Sequence, residues 1–255
     1  MTAYEAEQES PWFTAPSGSS ENFLASTSLP QAASWLVRAG RVVRRQRGTM
    51  LSYGHEWVHI VDEGCVMETT PHGTQRIWSA GAVIGDLTSV TRPHEHPRKS
   101  AAGARVELLA DSTLISVTAR TLNQALAEEP HLALLFLQLA NDRAALLESV
   151  YSTNNVTSTA RVAKLLDYLA EGGEERSWKY TRRSLKLIPA GMYVVDGPSQ
   201  GDIANALGLS RATVEKALGK LREEGTVKAP ERGTRTNRFY EIEDIRRLRT
   251  IARGF

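Results

Sequence analysis

Cysteine is nearly missing from this chain: Cys65 is the single one in 255 residues. One thiol excludes a disulfide framework, a four-thiolate structural zinc site and a cysteine-ligated iron–sulfur cluster. No run approaches the roughly 18 consecutive apolar residues that mark a membrane-spanning helix, so no membrane partner is expected. The N-terminal stretch carries Glu5, Glu7 and Glu9 where an export signal has a basic and then an apolar segment. These absences predict a soluble, cytoplasmic protein. A phosphate-cradling Gly-Lys loop, a Ser-His-Asp order and a paired-carboxylate helix are also missing. No catalytic residue is assigned, and nothing in the sequence supports an enzyme. The 41% of apolar residues nevertheless suffices for the core of one large domain or two ordinary ones.

Charge is divided unevenly. Residues 1–156 hold 12 Lys+Arg and 16 Asp+Glu, whereas residues 157–255 hold 19 and 13. An acidic front half and a basic back half suggest two modules, the second with a polyanionic partner. Chance clustering of solvated charge is the alternative at this level.

Residues 1–20 are rich in Ser, Pro, Gly and Glu, with isolated Trp12 and Phe13, and read as a disordered tail. A short helix is expected from Leu29 to Leu36. From residue 41 to about 118, β-prone runs recur at Arg41–Arg44, Trp57–Val61, Val66–Thr70, Arg76–Trp78 and Leu114–Val117. Gly48, Gly54, Gly64, Gly73, Gly81 and Gly85 separate them, a pattern of antiparallel sandwiches and barrels. His72-Gly73 fits a hairpin turn.

The period then becomes helical. Residues 119–128 predict a short helix, and Pro130 suits the first turn of a second one running to about Ser152. Its apolar face carries Leu132, Leu135, Phe136, Leu139, Leu146, Leu147 and Val150. Two readings compete: a helix packed lengthwise on the sandwich, or one pairing with its twin in a homodimer, although Asp142 and Arg143 interrupt a clean heptad. The dimer is favoured, with Leu132, Leu135, Phe136, Leu139, Leu146 and Val150 as its interface. Asn154, Asn155, Thr157 and Ser158 predict a hinge, followed by a helix from about Thr159 that Gly172-Gly173 ends. Residues 174–200 form a basic insertion, partly β-prone at Leu185–Ile188 and Met192–Val195.

Residues 199–224 read SQGDIANALGLSRATVEKALGKLREE. Two helical stretches meet at Gly208-Leu209-Ser210. Ile203, Ala204 and Leu207 fit one buried face, and Val214, Leu218 and Leu221 the other. Small Ala204 permits close packing, Gly208 accepts the turn conformation and Ser210 can cap the second helix. This is a helix-turn-helix, whose second helix enters the DNA major groove by its N-terminal end. The candidate DNA-binding residues are Ser199, Gln200, Ser210, Arg211, Ala212, Thr213, Glu215, Lys216 and Lys220. Thr226–Ala229 and Arg238–Ile242 flank a basic turn and predict a wing, adding Arg232, Thr234 and Arg235 as phosphate contacts.

Over about residues 21–250 the sequence resembles the Crp/Fnr family of bacterial transcription regulators, most strongly in Asp202–Lys216 and also in the glycine framework Gly48, Gly64, Gly73, Gly81, Gly85. The resemblance implies an α+β architecture: a cyclic-nucleotide-binding-like β jelly roll over residues 21–128, a dimerisation helix and hinge over 129–156, and a winged helix-turn-helix over 157–255. It implies a homodimer reading an inverted repeat in double-stranded DNA, with affinity set by a small-molecule effector or redox signal. RNA polymerase is a further expected partner.

The chain departs from that pattern in places. Cyclic-AMP-responsive members carry Gly-Glu and then Arg-Ser around the phosphate; here Gly85-Asp86 and Arg98-Lys99-Ser100 stand in. Asp is one methylene shorter than Glu, and Lys lacks the guanidinium fork. Where the family's long helix offers hydroxyls to adenine, this one has Leu146 and Leu147, which would leave the base's amino group unpaired at a cost of about 1–3 kcal/mol. Ordinary cAMP binding is therefore not expected, and no cofactor is assigned. Ala212 replaces the family's glutamate, which accepts from cytosine, so the familiar half-site is not expected either. Arg211 and Lys216 remain candidates for guanine or phosphate, and Glu215 for cytosine.

His94-Glu95-His96 reads as a solvated loop rather than a metal or haem site, and no metal ligand is assigned. Cys65 reads as a small apolar filler, and His55, His59, His72 and His131 as structural or exposed. The expectation is a sequence-specific DNA-binding regulator whose hinge re-aims its readers. A ligand-independent architectural DNA-binding dimer and a sensor acting through a protein partner stay open.

Overall fold

A computed structural model describes residues 35–36, 38–51, 57–70, 72–85, 105–152, 156–172, 177–181, 184–188, 193–229 and 238–254. The expected tail, Leu29, His55, Asp86, His94–His96, Arg98–Ser100, Asn154 and Asn155 lie outside them, as do Arg232, Thr234 and Arg235, the residues expected in a wing.

The front half is an antiparallel two-sheet roll. Its strands are β1 (Arg41–Arg45), β2 (Met50–Leu51), β3 (Trp57–Glu63), β4 (Val66–Thr69), β5 (Gln75–Trp78), β6 (Val83–Ile84), β7 (Arg105–Leu108) and β8 (Ser112–Thr118). They pair as β1-β8-β3-β6 and β2-β7-β4-β5. Val61, Val66, Trp78, Ile84, Val106, Leu108 and Leu114 fill the space between the sheets. The β4–β5 hairpin turns at the expected place: Gly73 has φ +80° and Thr70 N–H donates to Thr74 O at 2.8 Å. The five strands anticipated from β-prone runs form. The additional β2 and β6 are two residues each and β7 four, too short for a visible period.

Helix α1 (Ala119–Glu128) is capped by Thr118, whose hydroxyl accepts from Thr121 N–H. Helix α2 (Pro130–Tyr151) follows, 22 residues with Pro at its start; at 1.5 Å per residue it spans about 33 Å. Leu132, Leu135, Phe136 and Leu139 bury in the same cluster as Val58, Ile60, Ile115 and Leu122. The face assigned from sequence to a homodimer is thus occupied by the chain's own roll, with Val150 buried further along and Leu146 half-buried. Lengthwise packing on the sandwich, the other of the two readings, accounts for the face from Leu132 to Leu139.

Helix α3 (Ser158–Leu169) starts under a Thr157 cap that accepts from Ala160 N–H. It stops before the glycine pair expected to end it, because β9 (Glu171–Gly172) is drawn into a sheet. The basic insertion contains the hairpin β10 (Ser177–Thr181) and β11 (Ser184–Ile188), followed by β12 (Tyr193–Asp196). Then come α4 (Gln200–Leu207), α5 (Arg211–Glu223), β13 (Phe239–Ile242) and α6 (Ile245–Ala252), with the sheet ordered β13-β12-β9. The core of this half continues into the roll: Met67, Ile77 and Leu109 belong to the same buried cluster as Leu165, Val214 and Leu218.

His59 sits on β3 with Nδ1 2.8 Å from Ser116 Oγ, and burial lowers its pKa below the usual 6.5. The unfolded chain therefore binds a proton near pH 6.5 that the folded chain refuses, so stability falls as pH drops through that value. Urea unfolding at pH 7.5 and 5.5 is expected to show a smaller loss on acidification in His59→Gln than in the parent.

Candidate nucleic-acid interface

The two helices of the C-terminal domain are set by local chemistry. Ser199 and Asp202 form a reciprocal capping box on α4: Ser199 N–H donates to Asp202 Oδ2 at 2.7 Å, and Asp202 N–H to Ser199 Oγ at 3.2 Å. Arg238, entering β13, donates to the same carboxylate oxygen at 3.1 Å and to Gly197 O at 2.7 Å, which ties the wing's second strand to the start of α4. Gly208 ends α4 with φ 62° and ψ 37°. Leu209 N–H reaches Ala204 O and Gly208 N–H reaches Asn205 O, a Schellman closure that favours glycine in the left-handed position. Ser210 then caps α5, accepting from Thr213 N–H at 3.0 Å while its hydroxyl lies 2.8 Å from Thr213 Oγ1.

This turn sorts the residues of α5 between core and solvent. Val214, Ala217, Leu218 and Leu221 are buried. Arg211, Ala212, Glu215, Lys216 and Lys220 are exposed, Thr213 is half-buried under its cap bond, and Ser199 and Gln200 are half-buried at the head of α4. Lys220 lies 3.9 Å from Glu224, while Arg211 and Lys216 carry no ion pair among the described residues. Two cations and a carboxylate over the first turns of a capped helix, beside the helix's own positive end, make a surface fitted to an anionic, hydrogen-bonding partner. The wing is present at its base: Val227 bridges Ile242, and Lys228 N–H donates to Glu241 O at 2.9 Å.

The sequence-derived effector residues do not converge among the described residues. Gly85 has φ +135°, and a Cβ there would lie 2.8 Å from Trp57 O; it serves backbone packing against β3. Leu146 lines a cavity of about 260 Å³ between the roll and α2, whereas Leu147 points away and is 39% exposed. They cannot both face one base, because consecutive helical residues diverge by about 100°. Trp78 and Arg143 were not singled out as ligand-site residues, yet they form the cavity's wall. Arg143 stacks 4.2 Å from the Trp78 ring centroid, donates to Glu68 Oε2 at 2.7 Å and to Val83 O at 2.8 Å; Trp78 Nε1 donates to the same carboxylate oxygen at 2.7 Å. The available signal was Arg143 itself, a charge breaking an apolar stripe. Among the described residues no cluster of His, Cys, Asp or Glu is placed to hold a metal ion, and no helix is long and apolar enough to cross a membrane.

A β roll, a long helix and a helix-turn-helix with the base of a wing follow one another in that order along the chain. Residues 160–251 match the family of Crp-like helix-turn-helix domains. The chain is similar to a Ruegeria pomeroyi protein described as a candidate cyclic nucleotide binding protein, at 19% identity over 88% of this chain and 90% of that one, TM-score 0.57. It is also similar to FixK2 from Bradyrhizobium japonicum, at 20% identity, 83% and 96% coverage and TM-score 0.51. A CRP/FNR-family transcriptional regulator from Thermus thermophilus matches at 17% identity, 84% and 98% coverage and TM-score 0.52. A search of proteins with curated functions finds no match. Residues 160–251 are a Crp-like helix-turn-helix domain, and over more than four fifths of its length the chain has the fold of Crp/Fnr-type transcription regulators.

Removing the α5 cap tests the local account. Ser210→Ala is expected to cost about 1 kcal/mol of stability in urea unfolding, with no change for Ser210→Asp.

Proposed function

We propose that this protein is a sequence-specific DNA-binding transcription regulator acting as a homodimer. The observation that carries the reading is the exposed, unpaired cationic face of α5, held at the N-terminal end of a capped second helix in a Crp-like helix-turn-helix. Arg211 and Lys216 donate to guanine edges or phosphates, Glu215 accepts from cytosine, and Ala212 meets a thymine methyl. Lys220 and the wing arginines Arg232 and Arg235, with Thr234, follow the phosphate backbone, where most of the affinity and its salt dependence arise.

The dimer uses the face of α2 turned away from the roll. Ala133, Leu137, Ala140, Ala144 and Leu147 recur at steps of four and three, a heptad seam. Leu137 is 68% exposed and Leu134 beside it 54%, large apolar areas for a lone chain to leave in water. Pairing two such helices sets the two readers along an inverted repeat, one helical turn of DNA apart.

The effector is of a kind other than cAMP. Leu146 offers no polar group to a base, and Arg143, the cation nearest the cavity, is committed to Glu68 and Val83 O. Filling the cavity would shift the population of arrangements available to α2 and the helix-turn-helix domain.

Charge reversal at Arg211→Glu and Lys216→Glu is expected to lower duplex affinity at least 100-fold and to flatten its dependence on log salt, read by fluorescence anisotropy; unchanged binding sinks the groove contact. Leu137→Asp with Leu147→Asp is expected to give a monomer by light scattering. A dimer surviving those two changes refutes the seam.

A further inference from the structure

Strand β5 is an edge strand, paired with β4 on one side only. Its outward backbone groups lie in a buried apolar region, where each unsatisfied N–H or C=O would be costly. Side chains from the helices and from β5 itself satisfy those at Gln75, Ile77 and Ser79. Tyr151, the last residue of α2, accepts from Ile77 N–H at 2.8 Å and donates to Ile77 O at 2.7 Å. Tyr168, on α3 of the helix-turn-helix domain, accepts from Ser79 N–H at 3.0 Å. Arg76 donates to Gln75 O at 2.8 Å, lies 4.5 Å from the Tyr151 ring centroid, and reaches Ala206 O at the end of α4 at 3.3 Å. Arg161 of α3 donates to the neighbouring carbonyl, Leu207 O. The negative end of the first helix of the helix-turn-helix is thus held by two guanidinium groups, one of them carried on the roll.

This contact is more than apolar packing. It joins directional hydrogen bonds at successive points of one strand edge to the domain that carries α5, and the exposed face of α5 stays open while they are made. Close approach on a second side reinforces it: a Cβ on Gly197, after β12, would lie 3.1 Å from Leu109 O of the roll. We propose that the outer edge of β5 is the seat that orients the DNA reader, with Arg76 and Tyr168 as its positioning residues. Two readers on one dimer bind a repeat together only if both are held at the right spacing and angle. A loosened seat therefore costs bivalent binding and spares the binding of each reader alone.

The proposal rests on the DNA-reading function above, and its test separates the two. Full-length parent and the Arg76→Gln/Tyr168→Phe double variant are titrated with two duplexes, one carrying both half-sites of the selected repeat and one carrying a single half-site. The variant is expected to lose about tenfold on the full repeat and to stay within twofold of the parent on the half-site. Equal losses on both duplexes mean general damage to the reader and overturn the seat, as does no loss on either. If the parent selects no repeat, the DNA-reading proposal fails by itself, and amide hydrogen exchange decides the seat. Exchange at Ile77, whose partner Tyr151 is untouched, is then expected to be at least tenfold faster in the variant; exchange as slow as in the parent overturns the proposal.

Discussion

An edge strand in an apolar setting must find partners for its outward amides, and much of this molecule follows from how β5 does so. Tyr151 closes both backbone groups of Ile77, and Tyr168 closes the next outward N–H, at Ser79. Burial pushes both phenols well above their usual pKa, so they remain neutral hydroxyl groups able to donate and accept. Because one tyrosine ends the long helix and the other belongs to the C-terminal domain, satisfying the strand also fixes where that domain sits. The shared core of Met67, Ile77 and Leu109 with Leu165 and Val214 is the apolar counterpart of those hydrogen bonds.

The adjoining residue of the same strand lines the cavity and packs edge-on against Tyr151, ring centroids 6.2 Å apart. Trp78 is fully buried against Glu68, under the Arg143 guanidinium, and it walls the cavity between roll and α2. A single short strand thus carries a residue facing the cavity and, next to it, residues holding the helix-turn-helix domain. Helix α2 is similarly two-sided. Its inner face is used by the roll from Leu132 to Leu139, and its outer face leaves Leu134, Leu137 and Leu147 to solvent. A helix apolar on both sides is suited to be sandwiched between its own domain and a second copy.

Legibility from sequence follows the range of the signal. The helix-turn-helix could be placed because its determinants lie within a few residues of one another: Ser199 with Asp202, Gly208 with Leu209, Ser210 with Thr213. The hairpin at Gly73 and the starts of α1 and α2 were readable for the same reason. Which side of α2 meets the roll depends on partners far along the chain, such as Ile115 and Val58, so a periodic stripe alone could not tell that the roll covers the face from Leu132 to Leu139. Leu146 and Leu147 illustrate the same limit: adjacent in sequence, they face a cavity and solvent. The β5 seat was illegible because tyrosine hydroxyls meet backbone groups, and backbone groups carry no sequence signal. Ending α3 at Leu169 was missed because strand pairing of Glu171–Gly172 with β12 overrides the glycine stop.

The central claim is that the open face of α5 reads DNA sequence through a paired dimer. Selection of the full-length protein against a randomised duplex pool at physiological salt, sequenced after several rounds, tests it most directly. The account predicts enrichment of an inverted repeat with half-site centres about one helical turn apart, with or without added cAMP. A pool that stays random with and without added cAMP, or enriches a single unpaired motif, would contradict it.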